Sequence, residues 1–121
     1  MKKIEAQLVN LTPNTIKVYD DGLNLIHEIF PSGEYRAKLY VERELVYVLN
    51  DDIPINRPIM GPHNVSGIPE PEEGVIYIVS ALVAQAAQRP DVVSPDTLPG
   101  RDGPIKGPQG VSGIRGFQTW V

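Results

Sequence analysis

The chain has 121 residues, a formal net charge of −4 and no cysteine, and 41% of its residues are hydrophobic. This length and composition predict one globular domain over residues 1–121. The acidic balance argues against a protein that binds duplex nucleic acid or an anionic membrane, because either partner needs a basic face. The lack of cysteine excludes a disulfide framework, thiolate metal sites and cysteine nucleophiles.

The first 49 residues alternate between apolar and polar side chains, which is the pattern of half-buried strands. Turn signals separate the runs, and Asp20-Asp21-Gly22 is typical of a tight hairpin. The predicted strands are residues 4–8, 15–19, 23–30, 35–42 and 45–49.

Proline and glycine interrupt residues 50–74, which predicts loops and short edge strands, because proline donates no ladder hydrogen bond. Residues 75–79 are apolar throughout, as in a strand buried on both faces. Ser80 then stands at a helix N-cap position, an alanine-rich run follows, and Pro90 ends it. With a terminal strand at 117–121, the prediction is a mainly β (α+β) fold: a small antiparallel β-rich domain with a single helix near residues 80–89.

Glycine stands at positions 100, 103, 107, 110, 113 and 116. Most of these steps have the length of a collagen repeat, but a triple helix needs an unbroken repeat, and the step from Gly103 to Gly107 breaks it. Residues 102–111 are therefore predicted to be a flexible loop. Residues 113–117 are predicted to enter a strand and to present Arg115 beside a backbone that a ligand approaches closely.

The sequence contains no recognisable catalytic or metal-binding motif. Of the two histidines, His27 is expected in the core on an apolar strand face, and His63 is expected in a surface loop. The acidic pairs lie in turn-like contexts, where they are expected to be solvated. We therefore expect binding without catalysis, with neither a metal ion nor a cofactor.

Cationic and polar side chains near loops are the candidates for ligand binding. In the polar stretch 89–97, arginine suits phosphate groups, and aspartate and serine suit ribose hydroxyls; local turn hydrogen bonds are the alternative explanation. Arginines near glycine at the C-terminal end provide a further anion-binding wall. The candidate ligand-binding residues are Arg57, Arg89, Asp91, Ser94, Arg101 and Arg115.

Short segments spread over nearly the whole chain carry a resemblance to a known family. They include Val9–Pro13, Pro31–Ala37, Pro71–Ser80, Arg89–Asp91 and Gly113–Phe117. This set is similar to a group of small phage and prophage proteins, the first Thoeris anti-defence family. The central loop region does not share the similarity, and residues 103–109 look like an insertion.

The resemblance implies a molecular sponge in the host-cell cytoplasm. Such a protein binds the cyclic ADP-ribose isomer made by an immune TIR enzyme and holds it uncleaved. The resemblance also implies cyclic trinucleotides as further ligands and a homo-oligomer, from a dimer to a hexamer. Of the candidate residues, Arg57 alone lies where the match is poor; the other five match family positions.

The alternative is a small structural or partner-binding phage protein without a nucleotide ligand, in which the arginines are surface residues. Assembly is expected in either case, since open strand edges such as Phe117–Val121 need cover. The alanines of the predicted helix have two explanations, which are close approach of a partner and packing in the chain's own core.

Overall fold

The computed structural model describes residues 2–34, 36–97, 105–106 and 112–121, with residues 105, 106 and 112 described by their backbone alone. Within these ranges one α-helix accompanies short strands, so the predicted mainly β (α+β) class is confirmed. The elements are β1 (Gln7–Asn10), β2 (Ile16–Tyr19), β3 (Leu25–Ile29), β4 (Lys38–Leu39), β5 (Glu42–Leu49), β6 (Ile53–Ile59), a 3₁₀ helix (Pro62–Asn64), β7 (Val65–Ser66), β8 (Val75–Ile78), α1 (Ala81–Ala87), β9 (Val92–Pro95), β10 (Ile105–Lys106), β11 (Ser112–Gly113) and β12 (Phe117–Thr119).

A four-stranded sheet in the order β1-β8-β9-β12 forms the centre of the fold. The central strand β8 pairs in parallel with both β1 and β9, whereas β12 pairs with β9 in the antiparallel sense. A parallel pair of consecutive strands needs a crossover connection, and α1 supplies it between β8 and β9. The sheet is therefore mixed, and the antiparallel pairing expected from the sequence holds for β9-β12 and for the two-stranded sheets.

Strand β8 is buried on both faces, as its continuous apolar run predicts. Val75, Tyr77 and Val79 face a core that α1 closes together with Leu11 and Val92. On the opposite face, Ile78 packs in a second cluster with three apolar side chains that the β2–β3 hairpin and the chain before β12 supply, namely Ile16, Val18 and Ile114. The sheet thus lies between two layers.

The alanines of α1 pack into the core of the same chain. Ala84, Ala86 and Ala87 are buried, while Leu82 is exposed on the outer side. Of the two explanations for these alanines, core packing is therefore the correct one. Gln88 ends the helix in the left-handed conformation, at φ 52°.

Three details differ from the sequence-based predictions. Residues 92–95 form the buried strand β9, although the flanking prolines had suggested a polar loop. Residues 53–59 form β6, an edge strand as expected for this region but seven residues long in spite of Pro54 and Pro58. His27 is exposed on β3 and is not a core residue, although the register places it opposite the buried Val18.

Strands β5 and β6 form a long antiparallel hairpin, residues 42–59, which we call the arm. Positive φ angles at Asn50 and Asp51 make the tight turn at its tip, where asparagine and aspartate are well tolerated. At its base, Nδ2 of Asn64 donates a hydrogen bond of 3.3 Å to Oε1 of Glu42. Every strand residue of the arm except Ile55 is exposed.

The remaining described strands form small antiparallel sheets, β2–β3, β4–β7 and β10–β11. Residues 105–106 pair with 112–113, so part of the segment predicted as a loop takes strand conformation, and the rest of it lies outside the described residues. No helix in the described part of the chain has the length and apolarity needed to cross a membrane.

Gly113 is required by close packing. A Cβ built at this position would overlap the ring of Tyr19, whereas one at Gly116 would meet nothing within 4 Å. We expect Gly113→Ala to lower the free energy of unfolding by about 1–3 kcal/mol, because the buried Tyr19 ring has to shift. Gly116→Ala is the matched control and should stay within about 0.5 kcal/mol of the wild type. Denaturant titration followed by Trp120 fluorescence measures both variants, and equal stabilities would contradict this packing.

Candidate ligand-binding site

Arg89 and Asp91 form a two-pronged ion pair just before β9. Nε and Nη2 of Arg89 donate to the two carboxylate oxygens of Asp91, at 2.9 and 2.6 Å. About a quarter or less of each side chain is exposed, and the guanidinium carbon lies 5.8 Å from the centroid of the Tyr77 ring. The hydrogen bonds that Arg89 donates to Asp91 raise the pKa of Arg89. Each group therefore provides the hydrogen-bond partner that the other needs, which gives both charges a structural role.

Ser94 lies in the core of the protein. Its side chain is fully buried on β9, and its Oγ accepts a hydrogen bond of 2.9 Å from Nε1 of Trp120. The prediction that Ser94 contacts a ligand is therefore wrong for this fold. Val92 and Ser94 are two residues apart on β9, so both face the helix side of the sheet. There the serine hydroxyl accepts the hydrogen bond from the indole of Trp120.

Arg115 leaves the sheet toward the β2–β3 turn. Its Nη1 lies 3.6 Å from Oδ1 of Asp21, which is itself largely exposed. The turn is held by Asp20, whose carboxylate accepts hydrogen bonds from the backbone and side chain of Asn24 and from the backbone of Gly22. These hydrogen bonds, the one from the Asn24 backbone first, lower the pKa of Asp20.

The other two candidate arginines have different outcomes. Arg57 lies on the arm, where its Nη1 is 4.0 Å from Oε2 of Glu44 and more than half of both side chains is exposed. An exposed pair of this kind contributes little to stability. Arg101 lies outside the described residues.

The described candidates do not converge on one pocket within a single chain. Arg89 stacks on Tyr77, which belongs to the helix side of the sheet, whereas Arg115 pairs with a turn of the hairpin that covers the opposite side. Arg57 lies exposed on β6 of the arm. The structure therefore separates residues that sequence reasoning had grouped by chemistry alone.

One cleft, of about 480 Å³, runs along the open edge of β1. The exposed Phe30 and the carboxylates of Glu34 and Glu72 are among its lining residues, and none of its described lining residues is a lysine or an arginine. The charge of these described residues disfavours an anionic ligand. None of the sequence-predicted site residues within the described ranges lines it.

A second cleft, of about 350 Å³, lies where the glycine-rich segment re-enters the fold. We call it the glycine cleft. Gly113 and Ile114 form one wall, and β2 forms the other. The two walls are joined by hydrogen bonds between the backbones of Ile114 and Lys17 and of Tyr19 and Ile114. The glycine cleft is lined by Asn14, Thr15, Ile16, Lys17, Pro95, Thr97, Gly113 and Ile114.

The glycine cleft supplies chemistry that the sequence-based candidates had missed. Lys17 provides a cation, and Thr15, Thr97 and Asn14 provide hydroxyl and amide groups. A signal was present in the sequence, since Ile16 and Val18 alternate with Lys17 on a predicted strand and so turn the lysine away from the core. No local sequence pattern indicated that Thr97 lines the same cleft as Lys17.

Comparison with known proteins finds no relative: no family model matches the sequence, and no curated protein or solved structure matches it significantly. Among the described residues, no group of three or more histidine, aspartate or glutamate side chains is placed to hold a metal ion.

The role of Ser94 can be tested by removing its hydroxyl. Ser94→Ala leaves the Trp120 indole N–H without its acceptor, so we expect a loss of about 1–2 kcal/mol in the free energy of unfolding. The fluorescence of Trp120, the single tryptophan of the chain, reports the change directly. Ser66→Ala, at an exposed position on β7, is the control and should be neutral. Wild-type stability in Ser94→Ala would contradict the assigned contact.

Proposed function

We propose that the protein binds a cyclic ADP-ribose-type immune signal in the glycine cleft and sequesters it without cleaving it. The observation that carries the proposal is the set of residues that line that cleft, which is mainly apolar and includes a lysine, two threonines and an asparagine. The resemblance to the first Thoeris anti-defence family supports the same conclusion. The protein then acts in the cytoplasm of the infected host cell.

Each part of such a ligand has a counterpart in the glycine cleft. The pyrophosphate needs a cation, which Lys17 provides, and charge-assisted hydrogen bonds are the strong ones. The ribose hydroxyls need small polar groups such as Thr15 and Thr97. The base needs an apolar surface, and Ile114 and Pro95 offer one. A volume of about 350 Å³ lies within the range of small-molecule sites.

Arg115 is proposed as a second cation, next to the glycine cleft and not among its lining residues. It directly follows Ile114 in the wall of the glycine cleft, and its partner Asp21 is a largely exposed carboxylate. Exchanging an exposed carboxylate for a phosphate costs little, because the ion pair that is lost is a weak one. Arg89 and Asp91, in contrast, form a half-buried ion pair with each other, so we assign them a structural role just before β9.

Partner binding without a nucleotide is the second candidate function, and the exposed arm favours it. Cyclic trinucleotides are further proposed ligands, as the family resemblance implies. Titration with each nucleotide class separates these proposals.

The proposed activity predicts reversible capture of an intact ligand. Calorimetric titration with cyclic ADP-ribose isomers should show binding, and heat denaturation of the complex should return the ligand unchanged, because sequestration breaks no bond. Recovery of linear ADP-ribose would contradict sequestration. Absence of binding to every isomer would contradict the proposed ligand class.

Two substitutions locate the site in the same titration. Arg115→Ala should weaken binding by about 2–4 kcal/mol, since a desolvated phosphate loses a charged donor. Lys17→Ala should weaken it by about 1.5–3 kcal/mol for the same reason. Lys38→Ala is the matched control, because Lys38 is exposed on β4 and does not line the glycine cleft. If Lys38→Ala impairs binding as much as Lys17→Ala, the site lies elsewhere.

A further inference from the structure

The outer edge of β1 lacks the features that usually keep a strand edge free of partners. Within the described chain β1 is the outermost strand of the four-stranded sheet, and its register with β8 contains no bulge. Strand edges are commonly blocked by proline, lysine or a bulge. Residues 4–8 contain neither proline nor lysine, whereas the edge strand β6 carries Pro54 and Pro58. The β1 edge is therefore chemically open to an added strand.

The segment that leads into β1 has the sequence pattern of a strand but no strand to pair with. Its alternation of apolar and polar residues predicts a strand over residues 4–8. In the structure the strand begins only at Gln7, and residues 2–6 are exposed and belong to no helix or strand. Ile4 is 70% exposed. An added strand would supply the hydrogen-bond partners that this segment needs to take strand conformation.

The backbone of β1 directs one residue in two toward the open edge. The N–H groups of Gln7 and Leu11 donate to carbonyl groups on the β8 side, at 2.8 and 2.9 Å. Neighbouring residues of a strand point their backbone groups to opposite sides, so the N–H and C=O of Leu8 point outward. At the far end of β1 the edge is already used, because the N–H of Ser32 donates to the carbonyl of Asn10 at 2.9 Å. The open part of the edge therefore ends at Leu8.

The cleft of about 480 Å³ along this edge determines which side chains an added strand can carry. Leu8 and Phe30 provide apolar surface, at 38% and 65% exposure. Glu34 and Glu72 provide two carboxylates, and none of the described lining residues is a cation. Charge complementarity thus favours a segment that carries lysine or arginine beside apolar residues. The net charge of −4 makes a second copy of this chain a poor match.

We propose that the open edge of β1, residues 4–8, binds an extended basic segment of another protein by strand addition. Main-chain hydrogen bonds to Leu8 hold the added strand, and Glu34 and Glu72 select its basic side chains. The site is separate from the glycine cleft, since the two clefts share no described lining residue. The inference therefore does not depend on a nucleotide ligand.

NMR titration of the isotope-labelled full chain with a synthetic peptide tests the proposal. The probe is a blocked peptide of about eight residues that alternates lysine and valine. It should shift the amide signal of Leu8 in a saturable way, with a dissociation constant below about 1 mM. The same peptide with glutamate in place of lysine, or with N-methylated amides, should bind at least about 10-fold more weakly. An unmoved Leu8 signal, or equal binding of either control peptide, would overturn the proposal.

Two double variants with the same loss of charge test the role of the carboxylates. Glu34→Gln/Glu72→Gln should weaken binding of the lysine–valine peptide by about 10-fold, because both charges that face the added strand are removed. Glu28→Gln/Glu44→Gln removes two exposed carboxylates outside the cleft and should stay within about 2-fold of the wild type. Equal weakening in both variants would mean that the peptide is attracted by net charge alone, which contradicts a site at β1.

A backbone substitution tests the strand addition itself. Leu8→Pro removes the N–H that points to the open edge and leaves the hydrogen bonds to β8 in place, so the fold should persist and peptide binding should be lost. Trp120 fluorescence checks that the variant is folded. A folded Leu8→Pro that binds the peptide like the wild type would contradict the proposal. Signals of residues 4–8 that shift with protein concentration alone would assign the edge to a second copy and would overturn it as well.

Discussion

The burial of β8 on both faces is the constraint on which the rest of the structure depends. Tyr77 and Val79 require an apolar layer on one side of the sheet and Ile78 requires one on the other. The helix meets the first requirement because it crosses between two parallel strands, and the β2–β3 hairpin meets the second. The glycine cleft follows from this arrangement, since Ile114 closes the second layer and Gly113 has to pass close to Tyr19.

Local sequence signals predicted the elements whose burial follows from the pattern of their own residues. The apolar run of β8, the alanine-rich helix before Pro90 and the terminal strand β12 were all expected. Strand β9 was missed because it follows Pro90 closely and ends in Pro95, and because its burial comes from pairing with β8 across the helix crossover. An edge strand was expected within residues 50–74, but β6 is seven residues long and so longer than the short strands predicted, because proline is tolerated on the outer edge of a two-stranded arm.

Chemistry alone was a poor guide to the candidate site. Arg89, Asp91 and Ser94 suit a nucleotide by residue type, yet an ion pair holds the first two and Trp120, 26 residues away, holds the third. Arg89 and Asp91 are only two residues apart, but the long-range partner of Ser94 leaves no local pattern in the sequence. For residues 113–117 the close backbone approach is seen at Gly113, which packs against the Tyr19 ring, while ligand binding there stays a prediction. Lys17, the cation of the glycine cleft, lies on β2, the strand to which Ile114 is hydrogen-bonded.

The account is tested most directly by native-state hydrogen exchange of the amide groups of β8. The amides of Tyr77 and Val79 donate to the carbonyls of Asp91 and Val93 inside the double-sided core. We expect them to exchange only through global unfolding, with free energies of opening equal to the free energy of unfolding measured by denaturant. If these two amides instead exchange as fast as those of the β2–β3 hairpin, β8 is not the strand on which the fold depends, and the placement of the glycine cleft loses its structural basis.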